Sequence, residues 1–399
     1  MSDAFRGEVL LGFDTRRYRS RRGDWVDNAV LSGHYRLAAH DYSRAAALGV
    51  TSVREGARWP AVERQPWQYD FGVLARRVRE ARARGLRIVW SLLDGDWPDD
   101  VDPMRPEFVR RFAGFARAFA RFLRDECEPS QPQWIVPVEQ IGVRAWRGGA
   151  VAHGAPYLEE RGFELQVQLV RAALAATDAL RIVIPQARML CLEPLFHVAA
   201  HPDRPHEVEA ALAATARRNH AIDMLLGRRW PQLGGEPRHV DIVGLTYYPD
   251  HQWYYAGPAY PGPAIPPGAP GWRPVRELLL DVAQRHERRV LVAETGRDGP
   301  LAAIWFCYVC SEVRRAMLAG ATVAGVGVYP AVACPPAPGE RRPAAGIWGN
   351  ADADGRRPVN KALAKEVSIQ CGAFARMLPE PRVPAPGAGD ASVAVDSAG

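Results

Sequence analysis

Apolar residues along this 399-residue chain fall into two alternating patterns. Short, nearly continuous runs recur at Val9–Phe13, Thr51–Arg54, Leu86–Leu92, Gln133–Val138, Leu180–Ile184, Val240–Leu245, Arg289–Ala293 and Val323–Tyr329. Runs of this length without polar alternation predict strands buried on both faces. Between them lie stretches of helical period. In the clearest, Phe108, Phe112, Phe115, Phe119 and Phe122 are spaced four then three, so five phenyl rings share one helix face. Another helix is predicted from Phe71 to Arg84 and ends at Gly85, the residue type expected just past a helix terminus. Buried strands alternating with helices at a spacing of roughly forty residues fit an α/β fold closed into a single (β/α)8 TIM barrel. A doubly wound open sheet is the structural alternative. It would carry a glycine-rich phosphate loop after an early strand, and neither G-x-G-x-x-G nor G-x-x-x-x-G-K-[ST] occurs here. The expectation is one barrel domain over residues 1–378, with a long strand-exit loop at Tyr254–Trp272 and a disordered Pro/Ala/Gly-rich tail over residues 379–399.

A composition of 47% hydrophobic and 24% charged residues supplies a sizeable core and excludes wholesale disorder, collagen-like and coiled-coil architectures. The net charge of +6 is spread along the chain, and of 51 basic residues only Lys361 and Lys365 are lysines. A nucleic-acid-binding face would concentrate charge with interleaved aromatics, so no nucleic-acid partner is expected. The one dense run, Arg16, Arg17, Arg19, Arg21 and Arg22, reads as a solvated loop, with anion binding as the alternative.

The six cysteines are too few and too irregularly spaced for a disulfide framework, and the Cys307/Cys310 pair lies in an apolar helical run, where core packing accounts for it. Glu193, His197 and His201 stand at i, i+4, i+8 and would align for a metal on a helix, but Pro194 and Pro202 argue against that helix. No metal or other cofactor is expected. The N-terminal residues form no signal sequence and no run is long enough to span a bilayer, so the expected location is cytoplasmic, without a membrane partner. Oligomeric state is left open.

Two apolar strands end in a lone carboxylate: Trp134-Ile-Val-Pro-Val-Glu139 and Arg289-Val-Leu-Val-Ala-Glu294. By period-two alternation Glu294 shares a face with Val292 and Val290. In a barrel the site is built where strands exit, and two carboxylates on separate strands are what a retaining glycosidase uses, one as proton donor and one as nucleophile. A single such glutamate more often pairs with an arginine or caps a helix; two of them on the fourth and seventh strands point to chemistry.

These residues sit among others whose order is distinctive: Val53-Arg54-Glu-Gly-Ala-Arg-Trp59-Pro60, Asp94-Gly-Asp-Trp97-Pro98, Pro137-Val-Glu139 through Trp146, Thr246-Tyr247-Tyr248, Ala293-Glu294-Thr-Gly, Tyr329-Pro330 and Gly346-Ile-Trp348. In these motifs, from about Leu11 to Asn350, the chain resembles the clan A glycoside hydrolases, and most closely family 1 β-glucosidase-like proteins. The resemblance implies that Glu139 is the acid/base and Glu294 the nucleophile. It further implies that Arg54 neighbours the nucleophile, that Tyr248 hydrogen-bonds it, and that a carbohydrate or glycoside is the substrate. Asp94, Trp97, Trp146, Thr246, Tyr329 and Trp348 then become candidates for substrate binding, with Trp253, Tyr254 and Tyr255 near the exit loops. Departures stand beside the matches. Val138 replaces the usual Asn before the acid/base, Asp94 a His, Thr246 an Asn or His, and Tyr329 a Trp. Besides a retaining β-glycosidase, the sequence therefore admits a barrel that binds carbohydrate without hydrolysis, or a transglycosidase acting on an unusual sugar. Asp94 and Asp96 would repel acidic sugars and favour basic ones.

Overall fold

The computed structural model describes residues 8–127, 132–257, 261–335 and 346–377. Eight parallel strands close on themselves: β1 (Glu8–Gly12), β2 (Ser52–Gly56), β3 (Arg87–Leu93), β4 (Trp134–Val138), β5 (Arg188–Pro194), β6 (Ile242–Thr246), β7 (Arg289–Thr295) and β8 (Val323–Val328). Each pairs with its neighbours in sequence, and β1 pairs with β8 to complete the ring. Helices α1 (His34–Ala47), α2 (Gly72–Arg82), α3 (Pro106–Glu126), α4 (Gly162–Val183), α5 (Val208–Ala216), α6 (Val275–His286), α7 (Ala302–Leu318) and α8 (Lys361–Met377) follow the strands in turn. This is the (β/α)8 barrel that the alternation predicts. The tail at 379–399 lies outside the described residues.

The core is double. Leu10, Val89, Trp134, Val136, Leu190, Leu192, Ile242, Leu291, Ala293 and Ala324 fill the barrel interior. A larger apolar layer lies between strands and helices. The five phenylalanines of α3 all lie buried in that layer and pack around Trp59, Phe71 and Trp90. Helix α2 stops at Arg82, and Gly85 at φ +67° turns the chain back into β3, the left-handed conformation for which glycine carries no Cβ penalty.

Seven of the eight expected strands are present, and one is not. Leu180–Ile184 is the end of α4, and the fifth strand is Arg188–Pro194. The apolar run that suggested a strand is a helical last turn in which Leu180 is buried while Ile182 is 70% exposed. The arginine run is also not a free loop. Arg17–Arg19 pairs antiparallel with Trp25–Asp27, and the Arg17 and Arg19 guanidinium groups lie over the Trp25 ring at 4.5 and 4.8 Å. This hairpin docks on the exit of β3, where the Arg19 amide donates to Asp96 at 2.7 Å and the Asp96 amide donates to the Arg17 carbonyl at 2.9 Å. Of the run's five arginines, Arg21 and Arg22, at the hairpin tip, are the exposed ones.

Behind β2, on the helix side, a buried ionic cluster ties the barrel to its surroundings. Glu55 accepts from Tyr42 at 2.7 Å and from Arg77 at 3.0 Å, and lies 2.8 Å from His34 Nε2. His34 Nδ1 is 2.8 Å from Asp41, which in turn holds Arg357. Burial acts to raise the Glu55 carboxyl, but Arg77 and His34 outweigh it and hold the group below its ordinary range. The cluster pins the strand that carries Arg54 on its opposite face.

Candidate active site

Strand β2 delivers Arg54 by simple alternation: Val53 packs in the outer layer, and Arg54 faces the interior. Strands β4 and β7 do not work that way. On β7, Val290 and Val292 belong to the outer layer and Leu291 and Ala293 to the interior, so strict alternation would aim Glu294 at the helices. The pairing with β6 instead slips: Val292 sits opposite Leu245, but Glu294 sits opposite Thr246. The extra residue turns Glu294 inward, a β-bulge re-aiming a side chain at a barrel rim. Glu294 therefore does not share a face with Val290 and Val292.

A similar offset serves Glu139. Trp134 and Val136 fill the interior, whereas Val138 packs outside. Pairing with β5 begins with Trp134 opposite Arg188 and Ile135 opposite Met189, lapses, and resumes with Glu139 opposite Leu192, one step out of register. Pro137 stands in the gap, where its missing N–H removes a ladder donor.

The outcome is that both carboxylates meet one guanidinium. Arg54 donates through Nη1 to Glu139 Oε1 and through Nη2 to Glu294 Oε1. Ser91, facing inward from β3, donates to the same Glu139 oxygen. Tyr248 donates to Glu294 Oε2 at 3.2 Å. Arg54, Glu139 and Glu294 are each no more than 6% exposed. Burial acts to lower the Arg54 guanidinium, and the charges of Glu139 and Glu294 outweigh it, holding Arg54 well above its ordinary value. Burial pushes the Glu294 carboxyl upward, helped by the charge of Glu139 and opposed by Arg54, Arg16 and the Tyr248 hydrogen bond.

The remaining candidates divide. Thr246 faces inward opposite Glu294. Tyr329 closes the wall beside β1, with the Arg54 guanidinium 5.0 Å from its ring centroid, and bare Gly12 makes room for it: a Cβ there would lie 2.7 Å from Tyr329 Cδ2. Asp94 packs on Gly56, where a Cβ would lie 1.8 Å from Asp94 Oδ2, and accepts from Thr15 at 3.3 Å. Burial, then the charge of Glu139, pushes the Asp94 carboxyl up to about 7. Trp146 lies half-buried in the turn after Glu139. Trp97 and Trp348 do not join the group. Both are packed in the outer apolar layer, at 4% and 3% exposure, Trp97 edge-on to Phe108, which leaves neither indole a free face for stacking. Trp253 and Tyr254 form a small sheet with His197–Ala199 above β5 and β6. Glu193 and His197 lie on strands, so the supposed helical alignment with His201 does not exist, and among the described residues no group of three His, Cys, Asp or Glu side chains is placed to hold a metal.

Residues absent from the sequence reading also build the site. Ser91 interrupts the apolar run Ile88–Leu93 of β3, a signal legible in hindsight. Arg16, read as part of a solvated loop, grips Asp14 through Nε and Nη2 at 2.8 and 2.6 Å and adds its charge near Glu294. Arg144 donates to the Glu139 and Gly95 carbonyls at 2.7 and 2.8 Å, lacing the exits of β3 and β4 together.

The class defined so far is a (β/α)8 barrel with a buried carboxylate pair, bridged by arginine, at the exits of β4 and β7. Solved structures place that fold among neighbours of known activity. The chain is similar to a β-glucosidase from Thermotoga maritima in complex with glucoimidazole, at a TM-score of 0.75 and 14% identity, over 93% of this chain and 99% of that one. It is similar to the family 1 β-glucosidase from Thermotoga maritima at a TM-score of 0.72 and 15% identity, over 92% and 97% of the two chains. The same organism's β-glucosidase in complex with noeuromycin aligns at a TM-score of 0.73 and 14% identity, over 93% and 99%. No protein-family model matches the chain, and no curated protein sequence matches it. Among the described residues no helix is long and apolar enough to cross a membrane.

Proposed function

We propose that this protein is a glycoside hydrolase that cleaves a β-glycosidic bond with retention, using Glu294 as nucleophile and Glu139 as acid/base. The observation that carries the reading is that two register offsets, on separate strands, turn both glutamates onto the two ends of one buried guanidinium. Carboxylates sharing one guanidinium favour the closely spaced arrangement of retaining enzymes, about 5–5.5 Å, over the ~6.5–9.5 Å that leaves room for an attacking water. The Thermotoga β-glucosidases supply the same fold as precedent.

In this mechanism Glu294 attacks the anomeric carbon while Glu139 protonates the departing glycosidic oxygen. The C–O bond to the aglycone breaks as the bond to Glu294 forms. Glu139, now a carboxylate, takes a proton from water, which attacks the same carbon and releases Glu294. Tyr248 and Arg54 stabilise the ionised nucleophile. Proton donation requires Arg54 to give up Glu139, and its second partner, Glu294, together with Ser91 leaves it satisfied when it does. The chemistry uses two carboxyl groups and water and needs no cofactor. Thr246, Asp94, Tyr329 and Trp146 are the proposed sugar-contacting groups.

Intact-mass measurement after incubation with activated 2-deoxy-2-fluoro glycosides tests this reading. The expected result is a covalent adduct mapped to Glu294 and absent from Glu294→Gln. No adduct across gluco, galacto, manno and amino-sugar probes, from folded protein, would overturn it. A second reading, carbohydrate binding without cleavage, is favoured by the Arg54–Glu139 contact, which engages the oxygen a proton donor would offer to substrate, and by Val138 in place of the usual Asn. Calorimetric sugar binding without adduct formation would support it, and glycosyl transfer to an added alcohol would identify a transglycosidase.

A further inference from the structure

Glu193 is a buried carboxylate for which the mechanism has no use. It lies on β5, where Leu190 and Leu192 face the interior and Met189 and Cys191 the outer layer. Alternation therefore turns Glu193 away from the catalytic pair and under the turn that follows Glu139. There its two oxygens accept from the Gly142 amide at 3.1 and 3.3 Å, at 2% residue exposure. The carboxyl group packs directly against this glycine: a Cβ at residue 142 would lie 2.9 Å from Glu193 Oε2 and would push the carboxyl group aside. Between Glu139 and this anchor stand only Gln140, in the left-handed region at φ +50°, and Ile141, so displacement of Gly142 is transmitted directly to Glu139. The same strand holds the turn again one residue earlier, where the Gln140 amide donates to the Leu192 carbonyl at 2.7 Å.

We propose that Glu193 is the positioning residue for Glu139, holding the turn that aims the acid/base carboxyl at the glycosidic oxygen. The proposal rests on the assignment of Glu139 as acid/base. Burial pushes the Glu193 carboxyl up to about 8, against the Gly142 and Ile141 amides and Arg144. The charged and titratable groups acting on it are Arg144, from the turn, and Cys191, from its own strand. Its ionisation therefore falls in the range of ordinary assays, and the ionised form is the stronger acceptor for the Gly142 amide.

The test compares Glu193→Ala and Glu193→Gln with the unaltered protein on phenyl and 2,4-dinitrophenyl glycosides of the β-gluco, β-galacto and β-manno series. A dinitrophenolate departs without a proton, whereas a phenolate needs help. Glu193→Ala is expected to lower kcat/KM on the phenyl glycoside by about 10- to 100-fold, the scale of a misplaced catalytic group, and to change the dinitrophenyl value little. Glu193→Gln, which keeps an acceptor, is expected to recover most of the loss and to remove any inflection near pH 8. Equal losses on both substrates would overturn the proposal in favour of a merely structural role. Hydrogen exchange supplies a readout independent of turnover. Faster exchange confined to residues 139–144 in Glu193→Ala is expected, and unchanged exchange there would also overturn it. If the unaltered protein cleaves neither glycoside the hydrolase assignment fails, and the exchange result still decides whether Glu193 holds the turn.

Discussion

Replacing Arg54 by Met separates its electrostatic role from its volume. The side chain is 5% exposed and compensates two carboxylates that are themselves buried. Removing one partner of a buried ion pair costs ~3–5 kcal/mol, because the remaining charge is stranded. Here two like charges are stranded together, so one of them takes up a proton instead, as paired carboxylates do. That response fixes the sign of the pH dependence. A carboxyl whose folded pKa rises above ~7 while its unfolded value stays near ~4.3 favours the folded state at low pH, and the benefit is lost as pH rises through the folded pKa. Between pH 7 and pH 5 the variant should regain at most ~2.7 kcal/mol relative to the unaltered protein, at ~1.4 kcal/mol per pH unit for one full proton, and less to the extent that Glu294 is already raised in the unaltered protein. Guanidinium unfolding of both proteins at pH 5, 6, 7 and 8, read as the difference between them, measures this. The reference protein is needed because it titrates too. A deficit independent of pH would mean that the two glutamates do not sense Arg54 in the folded state, and would refute the shared-guanidinium geometry.

The unaltered protein should lose stability as pH rises. Asp94 and Glu193 are raised to about 7 and about 8, so their protonated forms favour the fold below pH 4 and that contribution is lost progressively toward pH 8; Tm should fall between pH 5 and pH 9, and fall less in Asp94→Asn/Glu193→Gln. Gly12→Ala would drive a Cβ to 2.7 Å from Tyr329 Cδ2 and should cost ~1–3 kcal/mol by overpacking, with slower labelling at Glu294 because Arg54 lies behind the same glycine. Phe112→Ala, at a fully buried ring of α3, should cost ~3–5 kcal/mol in denaturant and leave the labelling rate of the folded protein unchanged.

Much of the barrel was legible because parallel strands covered on both faces are written as unbroken apolar runs, and seven of them were read correctly. The remaining one, the fifth strand, failed where periodicity carries no information. Leu180-Arg-Ile-Val-Ile184 has the composition of a strand but completes a helix whose Ile182 faces solvent, while the true strand, Arg188–Pro194, begins with an exposed arginine and ends in Glu-Pro. The two glutamates were visible as strand-end polar residues, whereas their relation to Arg54 and Tyr248 came only from the resemblance to family 1 β-glucosidase-like proteins. Trp97 and Trp348 were not distinguishable from ligand-facing aromatics, since a tryptophan near an exit loop and one packed beneath it have the same sequence signature. Arg16 was hidden inside a charge run whose members differ only in what they fold against.

The orientation of the glutamates was the part least accessible to pattern, for a reason that bears on the function. A strand of period two has one face for the helices and one for the interior, and Val290 and Val292 on β7 and Ile135 on β4 commit their strands to an outer layer that the fold needs. Kept in register, β7 would spend Glu294 on that layer, where an ionised carboxyl among apolar side chains is costly. The slip before Glu294, and the lapse at Pro137 before Glu139, separate the two demands: each strand packs its outer face up to the rim and then turns its last side chain inward. Arg54 needs no such device, because alternation with Val53 already places it inside. Register offsets break a ladder and are not favoured by sheet formation alone. Two of them, converging on one guanidinium, are accounted for by the carboxylate pair they assemble, and this is the strongest structural argument that the pair is the working part of the molecule.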